Sequence, residues 1–119
     1  MRKSQNQLNV SFKRQIEKTL AQAIADFNNL KEVNNFLKDF LTETEYEIFA
    51  KRLAVAYWLK KGRSYQNIKQ NIKVSSATIA EVKQVMQKEG FKLALKKVEA
   101  EEWSNQWAER IMKFRKRIK

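Results

Sequence analysis

The sequence predicts an all-α fold, and three observations support this. The chain of 119 residues contains no Pro and only two Gly, so it lacks the residues that separate the strands of a many-stranded protein. Hydrophobic residues make up 43% and charged residues 32% of the chain, a mixture that suits amphipathic helices. Apolar residues recur at intervals of three and four along most of its length. One domain is expected, with a core that a dimer interface could complete.

Two helices are predicted in the first 41 residues. The first is expected over residues 8 to 30, where the apolar face consists of Phe12, Ile16, Leu20, Ala23, Ile24, Phe27 and Leu30. Asn34 and Asn35 favour turns and interrupt the pattern. The second helix is therefore expected to be only two turns long, over residues 36 to 41.

The third helix has well-marked ends. The Thr42 hydroxyl can accept the amide of Glu45, whose carboxylate can accept the amide of Thr42, which is the capping box of a helix start. Lys60 and Lys61 supply a basic last turn, and Gly62 is a typical stop signal. This helix is predicted to begin after Thr42 and to end before Gly62.

Three further helices are predicted in the rest of the chain. Ser64 can cap a short one, and Ser75 can cap another that is expected to end at Gly90. No helix breaker follows residue 90, so a long terminal helix is expected. Its apolar stripe, at spacings of four, four, three and four, consists of Trp103, Trp107, Ile111, Phe114 and Ile118.

Residues 64–82 have the apolar spacing of a helix-turn-helix. The motif needs apolar side chains in the first helix, in the turn and on one face of the second helix, to hold the helices at a fixed angle. These places are filled by Ile68, Ile72, Val74, Ile79 and Val82. The competing interpretation is a plain corner in a helical bundle, because short apolar patterns of this kind also occur by chance.

If the second helix enters a major groove, two sets of side chains are predicted to contact DNA. Small or polar residues near its start are suited to base edges and thymine methyl groups. The predicted base-contacting residues are Ser75, Ser76, Ala77, Thr78, Ala80 and Lys83. Phosphate contacts, which set the register and make affinity depend on salt, are predicted for Arg63, Gln66, Lys69 and Lys73.

Two residues depart from the usual motif. The turn residue before Val74 is commonly Gly, because its backbone tends to be left-handed, and here it is Lys73. Keeping that conformation with a lysine costs roughly 1 to 2 kcal/mol. Lys69 occupies a position usually given to Ala for close helix contact. A somewhat opened or strained motif is therefore expected.

Charge and composition exclude several classes of function. Twenty-five Lys and Arg against thirteen Asp and Glu give a net charge of +12, which favours nucleic acid or an anionic membrane surface as partner. The absence of Cys and His removes the usual metal ligands, nucleophile and general base. Neither a membrane span nor a signal peptide is recognisable. We expect a cytoplasmic, nucleoid-associated protein that is not an enzyme and needs no cofactor.

Roughly residues 20–88, and most clearly residues 41–85, resemble the Trp repressor superfamily, and most closely its small YerC/YecD-like branch. The shared marks are the pattern LT..E.E..A.R at the capped helix, Gly62 before SY..I, and VS.ATI at the start of the second motif helix. The resemblance implies an intertwined homodimer that places two helix-turn-helix units in successive major grooves of palindromic double-stranded DNA. Half-sites would then lie ~34 Å apart.

The resemblance also bears on effector binding. The tryptophan-responsive member holds its corepressor between two arginines, with a glycine and a serine nearby. Arg52 matches the first arginine, but Glu81 stands in place of the second, Val82 in place of the glycine and Val85 in place of the serine. Glu81 would repel the ligand's carboxylate and Val82 would crowd its ring, so a small-molecule corepressor is not expected. Arg52 is expected to be structural and to pair with Glu81.

The domain organisation that follows has three parts. Residues 1–41 are expected to form dimerisation helices, residues 42–90 the core with the helix-turn-helix at 64–88, and residues 91–119 an amphipathic basic helix. The end of that helix is either a solvated terminus or a phosphate-binding tail consisting of Lys113, Arg115, Lys116, Arg117 and Lys119. Three functions stay open: a DNA-binding regulator, a helical protein-interaction module that uses the terminal aromatic stripe, and an RNA-binding protein.

Overall fold

The computed structural model describes residues 7–102. These residues form six helices and no strand, which confirms the all-α prediction. The helices are α1 (Val10–Ala25), α2 (Leu30–Phe40), α3 (Glu43–Lys60), α4 (Tyr65–Ile72), α5 (Ser76–Val85) and α6, of which residues 89–102 are described. They belong to two compact units that divide between Tyr46 and Glu47. None of these helices has the length and apolar character needed to cross a membrane.

The start of α3 is the predicted capping box. The Thr42 amide donates to Glu45 Oε1 at 2.8 Å, and the Glu45 amide donates to Thr42 Oγ1 at 3.1 Å. Hydrogen bonds from Thr42 lower the pKa of the Glu45 carboxyl, and the bond from the Thr42 backbone has a larger effect than the bond from its side chain. At the other end, Gly62 takes a left-handed conformation with φ of 80° and ends the helix as predicted.

The predicted bounds of the first two helices are wrong. The first helix ends at Ala25 rather than near residue 30, and α2 runs from residue 30 through both Asn34 and Asn35. The break lies earlier because Asn29 caps α2, its Oδ1 accepting the Glu32 amide at 3.0 Å. Asn34 is compatible with the helix because its side chain accepts a hydrogen bond from the Tyr46 hydroxyl at 3.0 Å.

The first unit has little core of its own. The centroid of the Phe36 ring lies 5.3 Å from that of Phe27 and 4.8 Å from that of Phe40. Helix α1, in contrast, buries none of its residues. The apolar side chains of its stripe remain 41 to 51% exposed, and these are Phe12, Ile16, Leu20 and Ile24. Helix α1 therefore shows a continuous apolar face to its surroundings.

The second unit contains the hydrophobic core. Its fully buried members come from three helices, with Val55 and Ala56 on α3, Ile68 on α4, and Ile79 and Val82 on α5. Met86, at the end of α5, and Leu95 on α6 complete the cluster with exposures of 7 and 2%. Ile72 and Val74 are half-buried and pack against it. All five apolar positions predicted for a helix-turn-helix thus contribute to this core.

The prediction that the helix starting at Ser75 ends at Gly90 is wrong. Helix α5 ends at Val85, and the amide of Lys92 already donates to the carbonyl of Lys88, so Gly90 lies in the first turn of α6. Glycine stops a helix when it adopts a left-handed conformation, and Gly90 does not. The turn at residues 86–88 lets both Met86 and Leu95 enter the core. The terminal stripe from Trp103 onward lies outside the described residues.

Candidate nucleic-acid interface

The loop between α3 and α4 is held by hydrogen bonds at both of its ends. The amides of Gly62 and Arg63 donate to the carbonyls of Leu59 and Trp58, each at 3.0 Å, and close the end of α3. Ser64 then caps α4, its Oγ accepting the Asn67 amide at 3.1 Å. The Arg63 guanidinium carbon lies 5.4 Å from the centroid of the Trp58 ring. The first predicted phosphate contact is therefore exposed but lies against an aromatic side chain.

The turn between α4 and α5 depends on a left-handed lysine. Lys73 has φ of 63° and ψ of 55°, as its position in the motif predicts, and its amide donates to the Lys69 carbonyl at 3.1 Å. The Lys73 carbonyl accepts a hydrogen bond from Lys51 Nζ of α3 at 3.3 Å. Lys51 in turn lies 3.1 Å from Glu47. A side chain of α3 thus holds the turn in its strained conformation.

Helix α5 buries one face and exposes the other. Ser75 caps the helix, its Oγ accepting the Thr78 amide at 3.1 Å, and the hydroxyls of Ser75 and Thr78 also lie 3.1 Å apart. Ile79 and Val82 have no exposed surface. Because helical residues three apart can share a face, Ile79 and Val82 form one buried face. Ser76, Ala77 and Ala80 are exposed. The angle at which α5 leaves the core is set by its packing against α3 and α4.

The structure places some of the predicted site residues next to one another and separates others. All four predicted phosphate-contacting residues are exposed, and of the predicted base-contacting set only Thr78 is half-buried. Gln66, Lys69 and Ser76 line one shallow cavity of about 490 Å³ between α4 and α5. Lys73, Ser75 and Thr78 line a different cavity, and Arg63 lines neither of the two. The predicted basic tail from Lys113 lies outside the described residues.

Tyr65, Gln70 and Lys51 belong to this surface and were not predicted from the sequence. Tyr65 and Gln70 line the shallow cavity with Gln66 and Lys69, and the Lys83 ammonium lies 5.8 Å from the centroid of the Tyr65 ring. The helical spacing could have indicated Gln70, because it lies four residues after Gln66 on the same face of α4. Lys51 precedes the motif by more than ten residues, and no local pattern links it to the turn that it contacts.

The second cavity contains the residues that the resemblance relates to an effector. It has a volume of about 430 Å³ and is lined by Arg52 and Glu81, together with Lys51, Val74 and Thr78 among others. The predicted ion pair between Arg52 and Glu81 is not formed among the described side chains. Both residues are exposed to solvent, where an ion pair contributes little free energy. Val82 is fully buried, and its side chain belongs to the core.

Positive charge is concentrated in the unit that carries the motif. Between residues 47 and 102 there are twelve Lys and Arg against six Asp and Glu, whereas residues 7–46 have five against six. The carboxylates of α6 compensate the end of α3, since Glu99 lies 3.3 Å from Lys60 and Glu102 lies 3.9 Å from Lys61. No group of acidic side chains in the described residues could hold a metal ion. The exposed face of α4 and α5 therefore lies in a region of net positive charge.

Two short capped helices, a turn with a left-handed residue and a shared buried face define a helix-turn-helix protein. Residues 15–99 match the model of the family described as Trp repressor protein. The chain belongs to this family. Proteins of the Trp repressor family are helix-turn-helix transcription regulators rather than enzymes.

Two similar proteins agree with the assignment. The uncharacterized protein YerC of Bacillus subtilis (strain 168) is 32% identical over 85 residues, which cover 70% of this chain and 82% of YerC. The crystal structure of a proposed Trp repressor from Staphylococcus aureus is similar with a TM-score of 0.67 and 28% identity. The match covers 78% of this chain and 96% of that one.

Proposed function

We propose that this chain is a sequence-specific DNA-binding regulator that acts as a homodimer and reads the major groove with the first turns of α5. The observation that carries the proposal is the division of α5 into two faces. Ile79 and Val82 are fully buried, while Ser76, Ala77 and Ala80 are exposed at the start of the helix. Small side chains at this place allow the backbone to approach base edges closely.

The flanking charges support contacts with phosphates. Lys69 and Gln66 lie beside Ser76 in one shallow cavity, and Lys73 follows at the turn. Phosphate contacts of this kind position a helix without reading sequence. Gln66 and Lys69 line a cavity with Ser76, and Lys73 lines another with Ser75, so all three groups lie near the start of α5. We therefore assign Gln66, Lys69 and Lys73 to register and salt-dependent affinity.

The test of specificity is selection of bound duplexes from a random pool. We expect an inverted repeat with half-site centres about one helical turn apart, ~34 Å, as two-fold symmetry requires. Lys69→Gln should weaken binding to selected and unselected duplexes alike, and the slope of log affinity against log salt should fall by about 0.9 per phosphate contact. Lys97→Gln, an exposed lysine on α6 outside the motif, is the charge-matched control.

Two results would contradict the proposal. One is the failure of the purified chain to bind duplex DNA at low salt. The other is a structured RNA that competes with the selected duplex at equal concentration, which would indicate an RNA-binding function on the same surface.

The apolar face of α1 is the proposed dimer contact. Its four stripe side chains are 41 to 51% exposed. Burial of each one in a dimer interface would contribute about 1 kcal/mol or more to the free energy of association. Soluble proteins rarely leave a contiguous apolar face of this kind uncovered. A second copy of the chain is the partner that a symmetric DNA-binding unit requires.

Matched variants on α1 test the dimer. Ile16→Glu places a charge in the apolar stripe, whereas Gln15→Glu makes a comparable substitution next to it, away from the stripe. In sedimentation equilibrium, we expect the wild type and Gln15→Glu to be dimers and Ile16→Glu to dissociate. A dimer that is equally stable in both variants would place the interface elsewhere.

We further propose that tryptophan is not the effector. Glu81 places a carboxylate in the wall of the cavity that contains Arg52, and that charge opposes the carboxylate of an amino acid. The expected result of calorimetric titration with tryptophan is no saturable heat at millimolar ligand. Saturable binding with one site per chain would show this proposal to be wrong.

A further inference from the structure

A third cavity lies at the C-terminal end of α5 and shares no residue with the cavity that contains Arg52. The last turn of α3, the end of α5 and the first turns of α6 enclose about 490 Å³. Leu59, Met86 and Leu95 form its apolar wall, and the last two are almost completely buried. Pockets of this size and lining hold small molecules with a largely apolar body.

The charged part of the lining is entirely positive. Lys60, Lys83, Lys92 and Lys96 line the cavity, and no carboxylate is among the described residues that do so. Lys60 is compensated by Glu99 at 3.3 Å. Lys92 and Lys96 lie one turn apart on α6, are exposed, and have no ion-pair partner within residues 7–102. Like charges around one apolar cavity repel each other, and an anion bound between them would relieve this repulsion.

We propose that this cavity binds a small anionic amphiphile, with one anionic head on an apolar body, and that the bound molecule opposes DNA binding. The head would lie between Lys92 and Lys96, and the body against Met86 and Leu95. A ligand with an ammonium group, such as a free amino acid, would be disfavoured by the lysines. This site therefore selects against amino acids as ligands.

Lys83 connects this cavity to the proposed DNA interface. It lines the cavity and also belongs to the residues predicted to contact bases, and its ammonium lies 5.8 Å from the Tyr65 ring. An anion in the cavity would attract this ammonium and neutralise positive charge close to the DNA-facing surface. The effect on DNA rests on the proposed function, whereas the binding of the anion does not.

The binding test uses 1-naphthalenesulfonate and the neutral 1-naphthol as probes of nearly the same apolar body. In titrations of the ¹⁵N-labelled full chain followed by NMR, we expect saturable shifts of amides near Met86 and Leu95 with the sulfonate. Binding of 1-naphthol should be about tenfold weaker, since it lacks the charge that the lysines attract. Equal affinity for both probes, or shifts confined to the apolar face of α1, would overturn the proposal.

A pair of double variants tests the role of the lysines. Lys92→Gln combined with Lys96→Gln should weaken sulfonate binding by about tenfold, allowing for the exposure of both groups. Lys88→Gln combined with Lys97→Gln removes the same charge from residues that do not line the cavity, and should leave the affinity within about twofold. An equal loss in both double variants would mean that only net charge matters, and the site assignment would be wrong.

The coupling to DNA is measured separately, with a duplex bound by the wild-type chain. A saturating amount of 1-naphthalenesulfonate should lower DNA affinity by about three- to tenfold, as removal of one charged interaction would. Unchanged affinity with the cavity occupied would overturn the coupling. If the chain binds no duplex at all, the proposed function and the coupling both fail, while the NMR titration still decides whether the cavity binds the anion.

Discussion

Replacing Lys73 by glycine is expected to make the protein more stable and a weaker DNA binder at the same time. Lys73 is the one non-glycine residue with positive φ among residues 7–102, with φ of 63° and ψ of 55°. For a residue with a Cβ, this conformation costs about 1 to 2 kcal/mol. Glycine removes that strain but loses about 0.5 to 1 kcal/mol through the greater freedom of the unfolded chain.

The net gain in the free energy of unfolding is therefore about 0 to 1.5 kcal/mol, with a central value of about 0.75 kcal/mol. The hydrogen bond from Lys51 is retained, because it is accepted by the backbone carbonyl of residue 73 rather than by the side chain. Removal of the ammonium eliminates one proposed phosphate interaction per chain. The slope of log affinity against log salt should fall by about 0.9 for each phosphate that is no longer neutralised.

The assay is urea unfolding, with all proteins at the same concentration because a dimer's stability depends on it. A gain of this size should raise the urea midpoint by about half a molar. Lys73→Ala is the control, since alanine removes the same charge but keeps the Cβ and therefore the strain. Both variants should show the same reduction in the salt dependence of DNA binding, and only Lys73→Gly should gain stability.

Two outcomes would refute this reasoning. If Lys73→Gly is no more stable than Lys73→Ala, the left-handed conformation carries no strain at this turn. If neither variant changes the salt dependence of DNA binding, Lys73 does not contact a phosphate.

Four further substitutions test the fold and the interface. Thr42→Ala should cost about 1 kcal/mol of stability by urea unfolding, as loss of a helix cap does, and no change would mean that the capping box is dispensable. The hydrogen bonds from Thr42 lower the pKa of Glu45 in the folded protein, so their stabilisation is present above the unfolded-state pKa and is lost as pH falls through the folded one. The stability difference between wild type and Glu45→Gln should therefore close on acidification below the usual glutamate range, and a constant difference would contradict it. Ile68→Ala should cost about 2 to 5 kcal/mol, since this side chain has no exposed surface, and circular dichroism against temperature would show it; a smaller loss would mean that the core readjusts. Ser76→Ala should change the preferred sequence in duplex selection while leaving stability within about 0.5 kcal/mol, and an unchanged motif would remove this residue from base contact.

The features that were predicted correctly depend on neighbours in the sequence. Thr42, Ser64 and Ser75 cap helices through hydrogen bonds to amides three residues away. The left-handed conformations of Gly62 and Lys73 follow from their places at helix ends. The apolar spacing of the motif also predicted its buried face, because helical periodicity links positions three or four apart. Interactions of this range can be recognised from residue types and their spacing.

The missed break at Asn29 is a local cap, but two other errors arose where a residue has a partner that is distant in sequence. Asn34 has a turn-forming side chain, but in α2 that side chain accepts a hydrogen bond from Tyr46, twelve positions later. Gly90 was expected to stop a helix, but the burial of Met86 and Leu95 places the turn four residues earlier. Local preferences are small, and burial of apolar side chains outweighs them.

The sequence by itself determined the helical class, the helix caps, the left-handed turn and the faces of α4 and α5, because these depend on the chemistry of residues within one or two turns. The tertiary structure alone decided which distant side chains share a surface. It brought Lys51 to the carbonyl of Lys73, twenty-two residues away, and placed the lysines of α6 beside Lys83 around one apolar cavity. Such juxtapositions follow from packing around a common core, and no local pattern in the sequence encodes the distance between two helices.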